Sequence, residues 1–303
     1  MGRVFLAEEE TEDFRRAVAL KVIDRPAGDD EALRRFRDEV RILSSLEHPG
    51  IARFLAGGRA ADGTWFLALE LVEGKDLLSY ARARELPVRA RIELFVTVLD
   101  AVRFAHARGV VHRDLKPGHL LIDHEGRPRL LDFGISKLVD PATQQSLSLT
   151  RTESRALTPA YASPEQFRGE PVTPASDVYA LGTILYELLA GRRPFAGDQG
   201  SVLALERAVL GTDPEPPSTA ARQVAGEPAG SAAGISRALP FSGLGRDLDE
   251  ICLKALRLDR APQRGHRHHQ RPGDGQGSAV APHEAGEPVT PASDVYALGT
   301  ILY

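Results

Sequence analysis

Asp114 lies in the run His112-Arg113-Asp114-Leu115-Lys116-Pro117, and eighteen positions later Asp132 opens Asp132-Phe133-Gly134. Phosphoryl transfer asks for such a pair on neighbouring loops. One carboxylate beside the attacking hydroxyl orients it even at an ordinary pKa, and the other offers hard oxygens to magnesium. A chain built around these motifs has to bring two loops side by side.

Hydrophobic periodicity supplies the elements around them. Apolar clusters at residues 4–7 and 17–22, separated by an acidic stretch at 8–13, predict a hairpin. Leu33, Phe36, Val40 and Leu43 give residues 29–46 one apolar helical face, ended by His48-Pro49-Gly50. Residues 65–71 read as a buried strand running into Val72-Glu73-Gly74. Ile92, Phe95, Leu99 and Val102 mark a helix before the Asp114 loop, and residues 178–189 mark another, ended by Ala190-Gly191. Residues 211–245, rich in Pro, Ala, Gly and Ser with weak periodicity, read as a long surface insertion before a helix at 248–256. The expected class is α+β, a strand-rich small lobe with one helix followed by a larger helical lobe. The 303 residues, 42% of them hydrophobic, suffice for two lobes with separate cores.

A net charge of −4 gives no field that would favour nucleic acid or an anionic membrane. A single cysteine, Cys252 between Ile251 and Leu253, excludes an internal disulfide; it reads as a small core residue in a reducing compartment, the cytoplasm. No stretch approaches the ~20 apolar residues of a membrane span, and the first residues lack a signal-peptide pattern.

Read with Val18-Ala19-Leu20-Lys21 upstream and Ser163-Pro164-Glu165 downstream, the order of motifs resembles the signature set of eukaryotic-type protein kinases. Residues 158–166 and 176–182 are similar to bacterial serine/threonine kinases of the Hanks type. The resemblance implies a bilobal fold, with an N-lobe at 1–74 and a C-lobe at 75–260. It also implies transfer of the ATP γ-phosphate to serine or threonine of proteins, with Mg2+ as cofactor. In such relatives a Gly-rich hairpin covers the phosphates. Met1-Gly2-Arg3-Val4 matches only its last glycine and valine, so Gly2 and Val4 are its expected remnant and the first strand is expected to be missing.

The remaining roles follow from the same resemblance. Lys21 would hold the α- and β-phosphates and pair with Glu39 of the helix; Leu69 would be the gatekeeper, with Glu70, Leu71 and Val72 as the hinge along the adenine edge. Asp114 would be the base, Lys116 the lysine that contacts the transferred phosphate, Asp132 a magnesium ligand, and Asp177 the brace of the catalytic loop. Arg113 beside Asp114 implies an activation segment ordered by phosphorylation, with Thr150 and Thr152 matching threonines phosphorylated in trans between copies; Thr158 would line the substrate site, and Glu165 would pair with a late arginine such as Arg264. Relatives of this kind often carry a membrane anchor beyond the kinase domain. The departure is His119, where the family pattern has an asparagine whose amide oxygen reaches the second magnesium; an imidazole is a borderline ligand. His119 and the missing glycines keep a second class open, a catalytically silent module that binds nucleotide or a partner.

Past Arg260 the character changes. Residues 263–275 are almost free of apolar side chains, and residues 286–303 repeat 169–186 letter for letter. One helix belongs once in this fold, so residues 261–303 are expected to be an aberrant tail, a frameshift followed by a misassembled or recently duplicated gene fragment. The rival reading, a metal-binding tract at His266, His268 and His269, lacks a carboxylate or cysteine framework.

Overall fold

The computed structural model of the chain describes residues 3–23, 30–132, 159–195, 201–226 and 245–257. The expected hairpin forms from β1 (Arg3–Glu10) and β2 (Arg15–Ile23), in register from Arg3 opposite Val22 to Glu10 opposite Arg15. Three of the acidic residues, Glu8, Glu9 and Glu10, belong to the strand, and only Glu12 and Asp13 remain in the turn. Glu9 and Glu10 face Arg16 and Arg15 and ion-pair with them across the ladder, where opposite charges favour pairing. The turn itself narrows to Thr11–Phe14, closed by the Thr11 amide donating to the Phe14 carbonyl at 2.9 Å.

Helix α1 (Asp30–Ser44) buries Phe36 and Leu43 as the periodicity predicts, with the Phe36 ring 4.6 Å from that of Trp65. Beneath it lie β3 (Phe54–Arg59) and β4 (Trp65–Glu70), completing an antiparallel sheet in the order β1-β2-β4-β3. Strand β3 gave no signal in the sequence because it contains Gly57 and Gly58. Gly57 is required by packing: a Cβ there would stand 2.8 Å from Cγ2 of Val40 on α1.

A second sheet joins β5 (Gly74–Asp76), β6 (Leu120–Asp123) and β7 (Pro128–Leu130). Asp76 caps α2 (Leu77–Ala83) by accepting from the Ser79 amide at 2.9 Å. The predicted helix before the Asp114 loop is α3 (Val88–His106), with Phe95, Val98, Leu99 and Val102 buried. A 3₁₀ turn (Pro117–His119) leads into β6, and another (Pro159–Tyr161) into α4 (Pro164–Arg168). Helix α5 (Pro174–Ala190) starts at a Thr173–Ser176 capping box and stops where Gly191 turns left-handed at φ 78°. It is buried on all sides, as a central core helix is.

Against α5 pack α7 (Pro217–Gly226) and α8 (Arg246–Ala255), while α6 (Val202–Gly211) packs on α4 and the Pro159–Tyr161 turn. Helix α7 corrects the expectation of a surface insertion across 211–245. Ala220 and Ala221 are fully buried, and the Ser218 amide and hydroxyl donate to Asp249 of α8 at 2.9 and 2.6 Å. Residues 227–244 and the expected tail lie outside the described residues.

The sheet-rich and helical parts are α+β as expected, but their buried side chains form one continuous cluster rather than two cores. The segment after α1 is the reason. Leu46 and Ile51 are buried, Leu130 donates its amide to the Gly50 carbonyl at 2.7 Å, and Ala52 donates to the Leu130 carbonyl at 2.9 Å. That splice ties the segment leading into β3 to β7 of the second sheet.

Candidate active site

The loop carrying Asp114 is held from beneath by one buried carboxylate. Asp177, in the first turn of α5, accepts from the His112 amide at 2.7 Å, the Arg113 amide at 2.9 Å and Nε2 of His106 at 2.7 Å. Gln166 of α4 donates to the Arg113 carbonyl at 3.0 Å. Arg113 is thereby fixed at φ 68°, a left-handed conformation that a side-chain-bearing residue rarely adopts without such restraint. The bracing role implied for Asp177 is visible in these contacts. His106 and Gln166 were not singled out in the sequence: His106 lies 71 positions from Asp177, although Gln166 directly follows the Ser-Pro-Glu motif.

His112 then ties this loop to the next. Its Nε2 donates to the Leu131 carbonyl at 2.9 Å while Nδ1 receives the Asp114 amide at 3.4 Å, and complete burial holds its pKa below the ordinary imidazole value. Leu131 in turn donates its amide to the His119 carbonyl at 2.8 Å. Asp114 and Asp132, eighteen residues apart in the chain, are therefore on adjacent, hydrogen-bonded loops.

On the upper loop the Lys116 ammonium lies 2.9 Å from Asp114 Oδ2. Nδ1 of His119 is 2.9 Å from the Asp114 carbonyl oxygen and 3.8 Å from Oδ2. A carbonyl only accepts, so Nδ1 carries the hydrogen and Nε2 keeps the lone pair. Burial, reinforced by His112 and Lys116 and opposed by Asp114 and Asp132, pushes the His119 pKa down to about 4. The ring is neutral at neutral pH.

Asp132 adopts φ 48° and pairs with Lys21, whose side chain comes from β2 and is 9% exposed. Lys21 stands opposite Val4 on β1 and Leu67 on β4. Leu69 pairs with Ala19 and Phe54, and Leu71 and Val72 follow the strand half-buried. The Glu70 carboxylate accepts from the Arg53 amide at 3.0 Å and ion-pairs with Arg129 of β7, a residue that no sequence motif singles out. Glu39 lies on α1, but its side chain is outside the described residues, as are Gly2, Thr150, Thr152, Thr158 and Arg264.

Lys21 thus meets Asp132 on one loop, Asp114 meets Lys116 and His119 on the other, and the bonds to Leu131 join the two loops. Among the described residues no three His, Cys, Asp or Glu side chains converge as a metal-holding group. A divalent ion here would draw on Asp132 and His119 and complete its shell from phosphate and water, which is how magnesium is held with nucleotides. The Asp132 carboxylate fits that ion. The His119 nitrogen does not fit magnesium's preference for oxygen.

A protein kinase domain family model matches residues 1–218. The serine/threonine-protein kinase PknA of Mycobacterium tuberculosis is 39% identical over 223 residues, covering 72% of this chain and 50% of PknA. PrkC of Bacillus subtilis is 39% identical over 208 residues, 68% of this chain and 31% of PrkC. A serine/threonine-protein kinase of Corynebacterium efficiens is 34% identical across 100% of this chain and 57% of its own length. The chain therefore spans between about a third and just over half of these relatives.

Proposed function

The chain belongs to the protein kinase family, and we propose that it transfers the γ-phosphate of ATP to serine or threonine side chains of proteins, its own activation segment included. The observation that carries this reading is the pairing of the two loops. Asp114 with Lys116 at 2.9 Å sits on one, Asp132 with Lys21 on the other, and the His112 and His119 bonds to Leu131 join them. The relatives, all named serine/threonine-protein kinases, support the substrate class.

In this reading Asp114 accepts the hydroxyl proton and orients the oxygen for in-line attack, while Lys116 stabilises charge on the transferred group. Lys21 holds the α- and β-phosphates with Glu39 as its support, Val4 and Gly2 cover them, and Glu70 and Val72 present backbone to the adenine. Magnesium, when bound, would neutralise charge on the phosphate oxygens through Asp132. Thr150 and Thr152 are the phosphorylation sites, modified in trans between two copies. Among the described residues no helix is long and apolar enough to cross a membrane. Residues 1–74 and 75–260 act as the two lobes, in a reducing compartment.

A second reading, a silent nucleotide- or partner-binding module, is favoured by the imidazole of His119 at the metal position. Labelled γ-phosphate incorporation, with sites mapped by mass spectrometry and Asp114→Asn as control, separates the two. Label on Thr150 or Thr152 that falls about 10²–10⁴-fold in the control establishes the kinase reading. Nucleotide binding without label in either chain establishes the silent module.

A further inference from the structure

We propose that Arg129 of β7 is a positioning residue for the nucleotide: through the Glu70 carboxylate it holds the end of β4 in the place from which residues 70–72 meet the adenine edge. The inference deepens the nucleotide-site reading above and rests on it.

Three backbone segments meet at this one ion pair. Glu70 closes β4; its amide donates to the Arg53 carbonyl at 2.8 Å, and its carboxylate accepts from the Arg53 amide at 3.0 Å. Both main-chain polar groups of Arg53 are thus bonded to one residue. From the other side the Arg129 guanidinium donates to the same carboxylate oxygen. Arg129 lies 59 positions beyond Glu70 and is anchored without help from β4. It stands opposite Leu121 of β6, and the next residue, Leu130, donates to the Gly50 carbonyl and accepts from the Ala52 amide.

The contact falls where the ladders stop. Pairing of β4 with β2 ends at Glu70 opposite Val18, and β5 begins only at Gly74, opposite Asp123. Leu71, Val72 and Glu73 therefore cross between the two sheets outside either ladder, and the direction of their main chain follows from how Glu70 is held. Side-chain exposure is 13% for Arg129 and 36% for Glu70, so water screens the pair only in part. Among the described residues Nε of Arg129 is buried without a hydrogen-bond partner. A half-satisfied buried guanidinium is a poor stabiliser, whereas a single directed charge contact specifies one arrangement of the groups that carry it. A crossing segment fixed in advance loses less conformational freedom when the adenine arrives, and that saving appears as affinity.

Calorimetric binding of adenosine, and of ATP with Mg2+, to the full chain tests the proposal. Adenosine has no phosphate for Lys21 or Asp132 to meet, so it reports the adenine side alone. Arg129→Ala should weaken both ligands by a similar factor of about ten, the scale on which residues outside a site modulate its affinity, and Arg129→Lys, which keeps the charge, should recover most of that loss. In a Glu70→Gln chain, which still offers an oxygen to the Arg53 amide, Arg129→Ala should cost less than about twofold, because the ion pair is already gone. Should Arg129→Ala fail to fold, Arg129→Gln, which keeps part of the stem without the charge, takes its place in the same comparison. Unchanged adenosine affinity in a folded variant overturns the inference: with ATP affinity also unchanged the pair is only structural, and with ATP affinity lowered it acts through Asp132 instead. Tighter adenosine binding overturns it as well, since the pair would then restrain the site. A wild-type chain that binds neither ligand overturns the nucleotide-site reading and this inference with it, whereas wild-type binding that every Arg129 substitution leaves untouched overturns the inference alone.

Discussion

At the level of single residues, Asp177 carries more structure than any group that touches substrate. Its carboxylate, 1% exposed, receives two backbone amides of the Asp114 loop and the His106 ring. Asp177→Ala would leave three buried donors without an acceptor, and removing one partner of a buried charged network costs about 3–5 kcal/mol. The expected result is a large drop in the urea midpoint followed by circular dichroism, with Asp177→Asn milder because one amide oxygen still accepts. Lys116→Ala acts on chemistry instead. Lys116 is half-buried and 2.9 Å from Asp114, so its loss should lower kcat by about 10²-fold through transition-state charge while leaving the unfolding free energy within about 0.5 kcal/mol of the wild type. Equal loss of stability in a melting experiment would show that the pair is structural. These residues were readable because Asp114, Lys116 and Asp132 are spelled out in short contiguous runs. His106, Gln166 and Arg129 act on partners 71, 53 and 59 positions away, and no local pattern encodes such a meeting.

Among the elements, those with a strong period were legible and those defined by close approach were not. Helices α1, α3 and α5 and the hairpin β1–β2 followed their apolar spacing to within a few residues. Strand β3 was hidden by its glycines, and β5 and β7 are three residues long, too short to show alternation. Helix α7 was hidden by composition. Its buried face is made of alanines, which carry little hydrophobic signal yet let α5 approach closely. Strand β5 offers a sharp test of close approach. A Cβ on Gly74 would fall 2.2 Å from the Ile122 carbonyl oxygen, a backbone atom that can yield only if β5 leaves β6. Gly74→Ala should destabilise the chain by about 1–3 kcal/mol, the cost of forced overpacking. Hydrogen exchange should then quicken at the β5 and β6 amides and at the Asp76-capped start of α2 before it quickens in α5. Uniform protection across these elements would show that the ladder absorbs the methyl group.

On the scale of the whole molecule, one continuous core makes α8 an informative reporter. Its Ala255 Cβ would meet a Cβ on Gly182 of α5 at 2.7 Å, so the two helices touch where the glycine stands. Cys252 of the same helix is fully buried, and that burial, with the Asp249 carboxylate nearby, pushes its thiol well above the ordinary cysteine range. The unfolded chain loses this proton near pH ~8.5. The native chain keeps it, so above that pH the unfolded state binds fewer protons and stability declines as pH rises, while below it the contribution is complete. Cys252 of the native chain should therefore stay inert to an aromatic disulfide reagent at pH 8, reacting only through opening, with a rate that climbs with urea in step with the loss of helical circular dichroism. A labelling rate that is fast in buffer and indifferent to urea would mean that α8 leaves α5 without unfolding the rest. The core would then end at α7, and the single cluster that joins sheet and helices would not act as one cooperative unit.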